Sequence, residues 1–125
     1  MSKAGLQLVA QADGDFTVDV GFKVATALLK KHSLDALVCA NDATAIGALA
    51  AARDLGIAVP EALSVVGFDD IEMAGWPSFD LSTVCNPIDD AVERVIGLLE
   101  QRLANPSKPS ETVLIDPYFV PRGTH

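Results

Sequence analysis

Apolar positions in this chain switch between two rhythms, and the switches mark out its elements. Val18, Phe22, Ala25 and Leu29 recur every three or four residues, which predicts a helix from a Thr17 cap to about His32. Asp19 at its start and Lys30-Lys31-His32 at its end suit the helix dipole, so the basic triplet reads as a solvated helix end. An alanine-rich stretch from about Ala43 to Leu55, with Ile46 and Leu49, predicts a second helix closed by Gly56. A third starts at Pro87, whose missing N–H costs nothing in the first turn, and runs to about Leu103. Its apolar stripe is Ile88, Val92, Val95, Ile96, Leu99 and Leu103. Between the helices lie short apolar runs that read as strands: Leu6–Ala10, Ala36–Ala40, Val65–Phe68, Leu81–Cys85, Val113–Ile115 and Tyr118–Val120. Val65, Val66 and Phe68 suit a strand buried on both faces. Gly75-Trp76-Pro77 and the segment Asn105 to Ser110 are too rich in turn formers for regular structure. Strand and helix in alternation predict an α/β fold with a right-handed, parallel sheet.

Polar groups sit where these strands stop. Val65–Phe68 runs into Asp69-Asp70, Ala36–Ala40 into Asn41-Asp42, and Leu6–Ala10 towards Asp13-Gly14-Asp15-Phe16. Ligands of open α/β sheets bind outside the carboxyl ends of the strands. Acceptors and one aromatic on a single edge therefore suggest a site for a small, hydroxyl-rich molecule. Each residue also has a plainer reading. Asp42 fits the cap of the following helix, Asn41 a turn former, Phe16 a core aromatic, Asp70 a loop cap or interlobe contact and Trp76 a packing residue.

Composition narrows the function further. With 125 residues the chain can build one real core, and 50% hydrophobic with 21% charged residues is an ordinary globular balance. A formal charge of −8 argues against nucleic-acid contact by this segment, which would rely on Lys and Arg against phosphates. No apolar run approaches bilayer length and no signal-peptide pattern opens the chain. Cys39 and Cys85 read as reduced and structural, consistent with a cytoplasmic protein. His32 and His125 are a helix end and a chain terminus. With no dinucleotide fingerprint, Walker loop or nucleophile elbow, the expectation is no enzyme, no cofactor and no metal. A phosphoacceptor receiver domain matches in length, but its acidic pair belongs after the first strand, whereas Asp69-Asp70 follows the third and Lys108 lies in a connector.

Five segments in order resemble the effector-binding core of the LacI/GalR family of bacterial regulators. They are Gly14-Asp15-Phe16-Thr17 with Gly21-Phe22; Ala40-Asn41-Asp42 with Ala45-Ile46-Gly47-Ala48-Leu49; Val59-Pro60 through Ser64-Val65-Val66-Gly67-Phe68-Asp69-Asp70; Leu81-Ser82-Thr83-Val84 with Pro87; and Pro121-Arg122-Gly123-Thr124. The resemblance implies a periplasmic-binding-protein-like type I fold, a three-layer α/β sandwich. Two lobes clasp a small effector, and a separate N-terminal helix-turn-helix reads operator DNA. No helix-turn-helix is present here, and Met1 to Leu6 resembles the tail of a helix inside the core. The chain is thus expected to be the C-terminal portion of the core. About 1–86 and 111–125 would belong to the second lobe, and about 87–104 would be a crossover helix of the first.

The resemblance also implies site roles. Phe16 matches an aromatic that stacks on the effector, Asn41 an amide that bonds its hydroxyls, and Asp69 a carboxylate that accepts from them. Asn86 stands where the family usually has Gln, and its shorter side chain weakens that match. The implied partners are a sugar or nucleoside-like effector and a second copy in a homodimer, with DNA reached only through the N-terminal domain. A periplasmic sugar-binding protein has the same cleft, but more often shows Gly where Asp70 stands and lacks the Arg-Gly-Thr ending.

Overall fold

A computed structural model describes residues 5–125. Its elements run α1 (Val18–Lys31), β1 (Ala36–Val38), α2 (Asp42–Asp54), β2 (Ser64–Asp69), a 3-10 turn (Glu72–Gly75), β3 (Ser82–Cys85), α3 (Ile88–Ala104) and β4 (Tyr118–Val120). The helices stand where the apolar periodicity places them. Thr17 caps α1, its hydroxyl accepting from the Val20 N–H at 3.3 Å while donating to Asp15 at 2.6 Å. Leu55 closes α2, and Gly56 follows at φ 68°, a conformation that costs glycine little.

The strands form one sheet in the order β1-β2-β3-β4. β1, β2 and β3 are parallel, with Val38 opposite Val66 and Asp69 opposite Cys85. β4 is antiparallel to β3 and pairs Tyr118 with Cys85, so the chain re-enters the sheet at the end it left. The result is an α/β domain with a mostly parallel sheet.

α2 covers one face of the sheet, and α1 rides on α2. The core is small-residue packing: Ala45, Ala48, Ala51 and Ala52 of α2 meet Leu63, Val65 and Leu81, all at most 1% exposed. The carboxyl-terminal tail closes the far end. Thr124 is buried, donates its hydroxyl to the Val65 carbonyl at 2.6 Å and accepts from the Ser82 N–H at 2.9 Å. Its carbonyl accepts from the Val65 N–H at 2.7 Å. Five C-terminal residues thus satisfy backbone groups that the sheet leaves open there.

The structure departs from the sequence reading in four places. Leu6–Ala10 is not a strand. A trough of about 1020 Å³ lies between residues 5–14 and the α1–β1 face, so the segment has no ladder to join. Val113–Ile115 is likewise unpaired. β2 is buried on one face only: Val65 and Gly67 are covered, while Val66 and Phe68 are half-buried because no helix lies over them. Finally, α3 has no buried residue, and its apolar stripe is between 51% and 72% exposed. The helix tail read at Met1 to Leu6 falls mainly on residues 1–4, outside the described residues; Gly5 is a turn.

Candidate functional site

The carboxyl ends of β1, β2 and β3 make one rim, joined by the loop that precedes α1. Asn41 ends the β1 segment and caps α2, its Oδ1 accepting from the Thr44 N–H at 2.9 Å. The same amide donates to the Phe16 carbonyl at 3.0 Å and so ties the first loop to the second. Turn former and site residue are therefore not rival roles for Asn41, since the cap leaves it one N–H and a carbonyl lone pair. Phe16 is not core. It is 65% exposed, at φ 66°. Its ring stands at the rim beside the mouth of the trough.

Asp42 does not cap α2, because Asn41 already does. It is the first helical residue and is fully buried. Its Oδ1 accepts from the Thr83 hydroxyl at 2.5 Å and its Oδ2 from the Ile71 N–H at 2.9 Å. Asp69 ends β2 exposed at φ 108°, followed by Asp70 at φ 58°. Non-glycine residues pay for such backbone, typically about 1–3 kcal/mol each, and concentrate at functional sites. Asp70 is engaged elsewhere, its Oδ1 accepting from Arg122 at 2.7 Å. Asn86 follows Cys85, the register partner of Asp69, with its side chain exposed at the next strand end. Trp76 stacks on Phe79 at 6.5 Å, a packing role.

A profile of the periplasmic binding protein-like domain matches residues 1–125. The ribose operon repressor of Haemophilus influenzae is 37% identical over 87 residues, 70% of this chain and 26% of that protein. A LacI-family regulatory protein from Chloroflexus aggregans superposes with a TM-score of 0.90 at 30% identity, covering 99% of this chain and 46% of that one. This chain belongs to the periplasmic-binding-protein-like domains of LacI-family regulators. A LacI-family regulator from Enterococcus faecium, solved with bound ribose, matches with a TM-score of 0.79 at 26% identity over 88% of this chain and 41% of that one. The chain therefore spans less than half of the relatives it matches. LacI-family repressors are regulators, not enzymes.

In this LacI-family domain, the negative charge of Asp42 bears on two neighbouring groups, Asp69 and Cys39. Slight desolvation of this largely exposed group, then the charge of Asp42, raises the pKa of Asp69 above the ordinary carboxylate value. Burial, with the same charge second, pushes the Cys39 thiol up to about 11, so Cys39 is an inert filler. Among the described residues no three His, Cys, Asp or Glu side chains gather as a metal site would require. No helix among them is long and apolar enough to cross a membrane.

The raised pKa of Asp69 has a stability consequence with a definite sign. The folded state holds the Asp69 proton more tightly than the unfolded state, so ionisation of this group lowers stability as pH rises through the two values. Asp69→Asn removes that charge while keeping a residue that tolerates positive φ. Thermal melts should therefore show the variant slightly more stable at pH 7, with the gap closing by about pH 3, where the carboxyl is neutral in both states. A variant less stable at pH 7 would mean that the carboxylate makes a stabilising bond.

Sequence reasoning missed the supports of this rim, Arg122 and Thr83, and the closure of the sheet's opposite end by Thr124. Arg122 donates to the Leu81 carbonyl at 2.8 Å as well as to Asp70. The only signal for them in the sequence is that Thr83 and the Arg-Gly-Thr ending lie in segments that carry the family resemblance.

Proposed function

We propose that this domain forms the effector-binding part of a cytoplasmic LacI-family repressor, and that its effector is a small hydroxylated molecule such as a sugar or nucleoside. The observation that carries this reading is the rim itself: an exposed aromatic in the loop before α1 stands with a half-committed amide and an exposed carboxylate at neighbouring strand ends, two of the three on strained backbone. Phe16 offers a flat apolar face to the C–H side of a ring, while Asn41, Asp69 and Asn86 offer donors and acceptors to its hydroxyls. Ribose bound to the Enterococcus relative supports that ligand class.

In this reading residues 1–86 and 111–125 are the second lobe, and residues 87–104 cross to the first. The effector bridges the lobes, changes their angle and shifts the DNA-binding heads of a homodimer between competent and incompetent states. One lobe alone leaves an effector half in water, so the 125-residue chain should bind D-ribose, hexoses and nucleosides no better than millimolar. Calorimetry measures this, and submicromolar binding would show that a single lobe is the whole site. In the full-length regulator, operator-release assays should show Asp69→Ala losing the effector response with operator affinity little changed. A normal response would reduce Asp69 to a loop residue.

A further inference from the structure

We propose that Asp42 is a positioning residue for the effector rim: it holds the Asp69-Asp70 reversal in place by accepting the Ile71 N–H, and Gly67 is glycine so that this carboxylate fits. The inference deepens the reading of Asp69 as an effector contact and rests on it.

A buried carboxylate is costly unless its environment compensates. Asp42 is fully buried, and the ion pairs among the described residues, Lys108–Glu111 and Arg122–Asp70, do not include it. What it has instead is the first turn of α2, where the helix dipole favours negative charge, and two hydrogen bonds that reach different elements. One comes from Thr83 in β3. The other comes from the backbone immediately after two consecutive left-handed residues, Asp69 at φ 108° and Asp70 at φ 58°. Such backbone persists only where surrounding contacts over-determine it. Two contacts do so here: Asp42 on the Ile71 N–H, and Arg122 on the Asp70 carboxylate.

Gly67 completes the argument. A Cβ there would run into Asp42 Oδ1 and approach the Asp42 Cα to 3.2 Å. The glycine two residues before Asp69 is thus the complement of the aspartate that follows Asn41. The two strand-end motifs are one unit: Asn41 holds the Phe16 loop, and Asp42 holds the Asp69 loop.

Ligand-free NMR on the 125-residue chain tests this with Asp42→Ala and Thr83→Val. Both remove a hydrogen bond from the same buried cluster, but only Asp42→Ala removes the acceptor of the Ile71 N–H. Asp42→Ala should speed Ile71 amide exchange by about tenfold or more, as loss of a hydrogen bond to a carboxylate requires. The couplings that report φ at Asp69 and Asp70 should move to averaged values. Thr83→Val should leave Ile71 exchange within about threefold. Equal acceleration in both variants would show a merely structural carboxylate and overturn the proposal. If Asp42→Ala does not fold, the unsubstituted chain still decides: an Ile71 amide exchanging as fast as exposed loop amides would also overturn it. Neither readout involves an effector. A failure of the effector reading would appear separately, as an unchanged operator response in Asp69→Ala.

Discussion

Gly47→Ala should destabilise the chain by about 1–2 kcal/mol net, although alanine is the better helix former. At this position α1 and α2 touch backbone to backbone. An added Cβ would lie 2.6 Å from the Phe22 nitrogen and 3.0 Å from the Gly21 carbonyl carbon, and it would also meet the Val18 carbonyl oxygen. Gly21 makes the reciprocal approach, where a Cβ would lie 2.6 Å from the Thr44 carbonyl oxygen. Backbone cannot swing aside as a side chain can, so the helices must separate and open the alanine core beneath. Overpacking costs typically about 1–3 kcal/mol and occasionally more, while the gain in helix propensity returns about 1 kcal/mol. Gly97→Ala is the matched control. It lies inside α3 with nothing within 4 Å of an added Cβ, and it should be stabilising or neutral. Urea denaturation reads both through the midpoint, provided the slope is unchanged. Equal effects at Gly47 and Gly97 would mean that α1 and α2 are not in this close contact.

The second large effect concerns α3, whose apolar stripe should draw together two copies of this chain. Ile88, Val92, Val95, Ile96, Leu99 and Leu103 are each more than half exposed. A large apolar side chain gains roughly 1.5–3 kcal/mol on full burial, and contiguous exposed stripes of this size are rare on monomers. An isolated helix of 17 residues is also only marginally stable in water. Covering the stripe therefore supplies both burial and helix stability. A second copy presents the same stripe, and its antiparallel placement would leave Asp89 and Asp90 of one helix near Arg102 of the other. Sedimentation should show mass rising with concentration, and α3 amides should become protected in parallel. Val95→Glu places a charge in the middle of the stripe and should leave a monomer with rapidly exchanging α3 amides. A monomer at every concentration, with α3 protected, would show instead that the helix folds back on its own sheet.

Much of the fold was legible because it is written in local chemistry. Thr17 as a cap, Gly56 after α2 and Pro87 before α3 are decisions the backbone makes within a few residues. Those elements stand where the pattern puts them. The rim was legible for a related reason: strands of a parallel sheet run the same way, so polar residues at their ends collect on one edge. Asn41 and Asp69 could be placed there without coordinates; Asn86 came from the family resemblance, and Phe16 was placed through Leu6–Ala10, which forms no strand. Their supports could not. Asp42 resembles a cap in sequence, yet a neighbouring asparagine holds that position, and the aspartate is spent on Thr83 and Ile71, distant along the chain.

The strands show the same division. Leu6–Ala10 has the composition of a strand, but a strand exists only beside a partner, and a trough stands where its ladder would be. The stripe of α3 states that the helix needs cover without stating what covers it. By itself, then, the sequence determined the helices, their ends and the polar rim, because these follow from caps, period and the direction of a parallel sheet. Only the tertiary structure decided which strands pair, which aspartate is buried and which glycines are indispensable, because each depends on what another part of the chain places within a few ångströms.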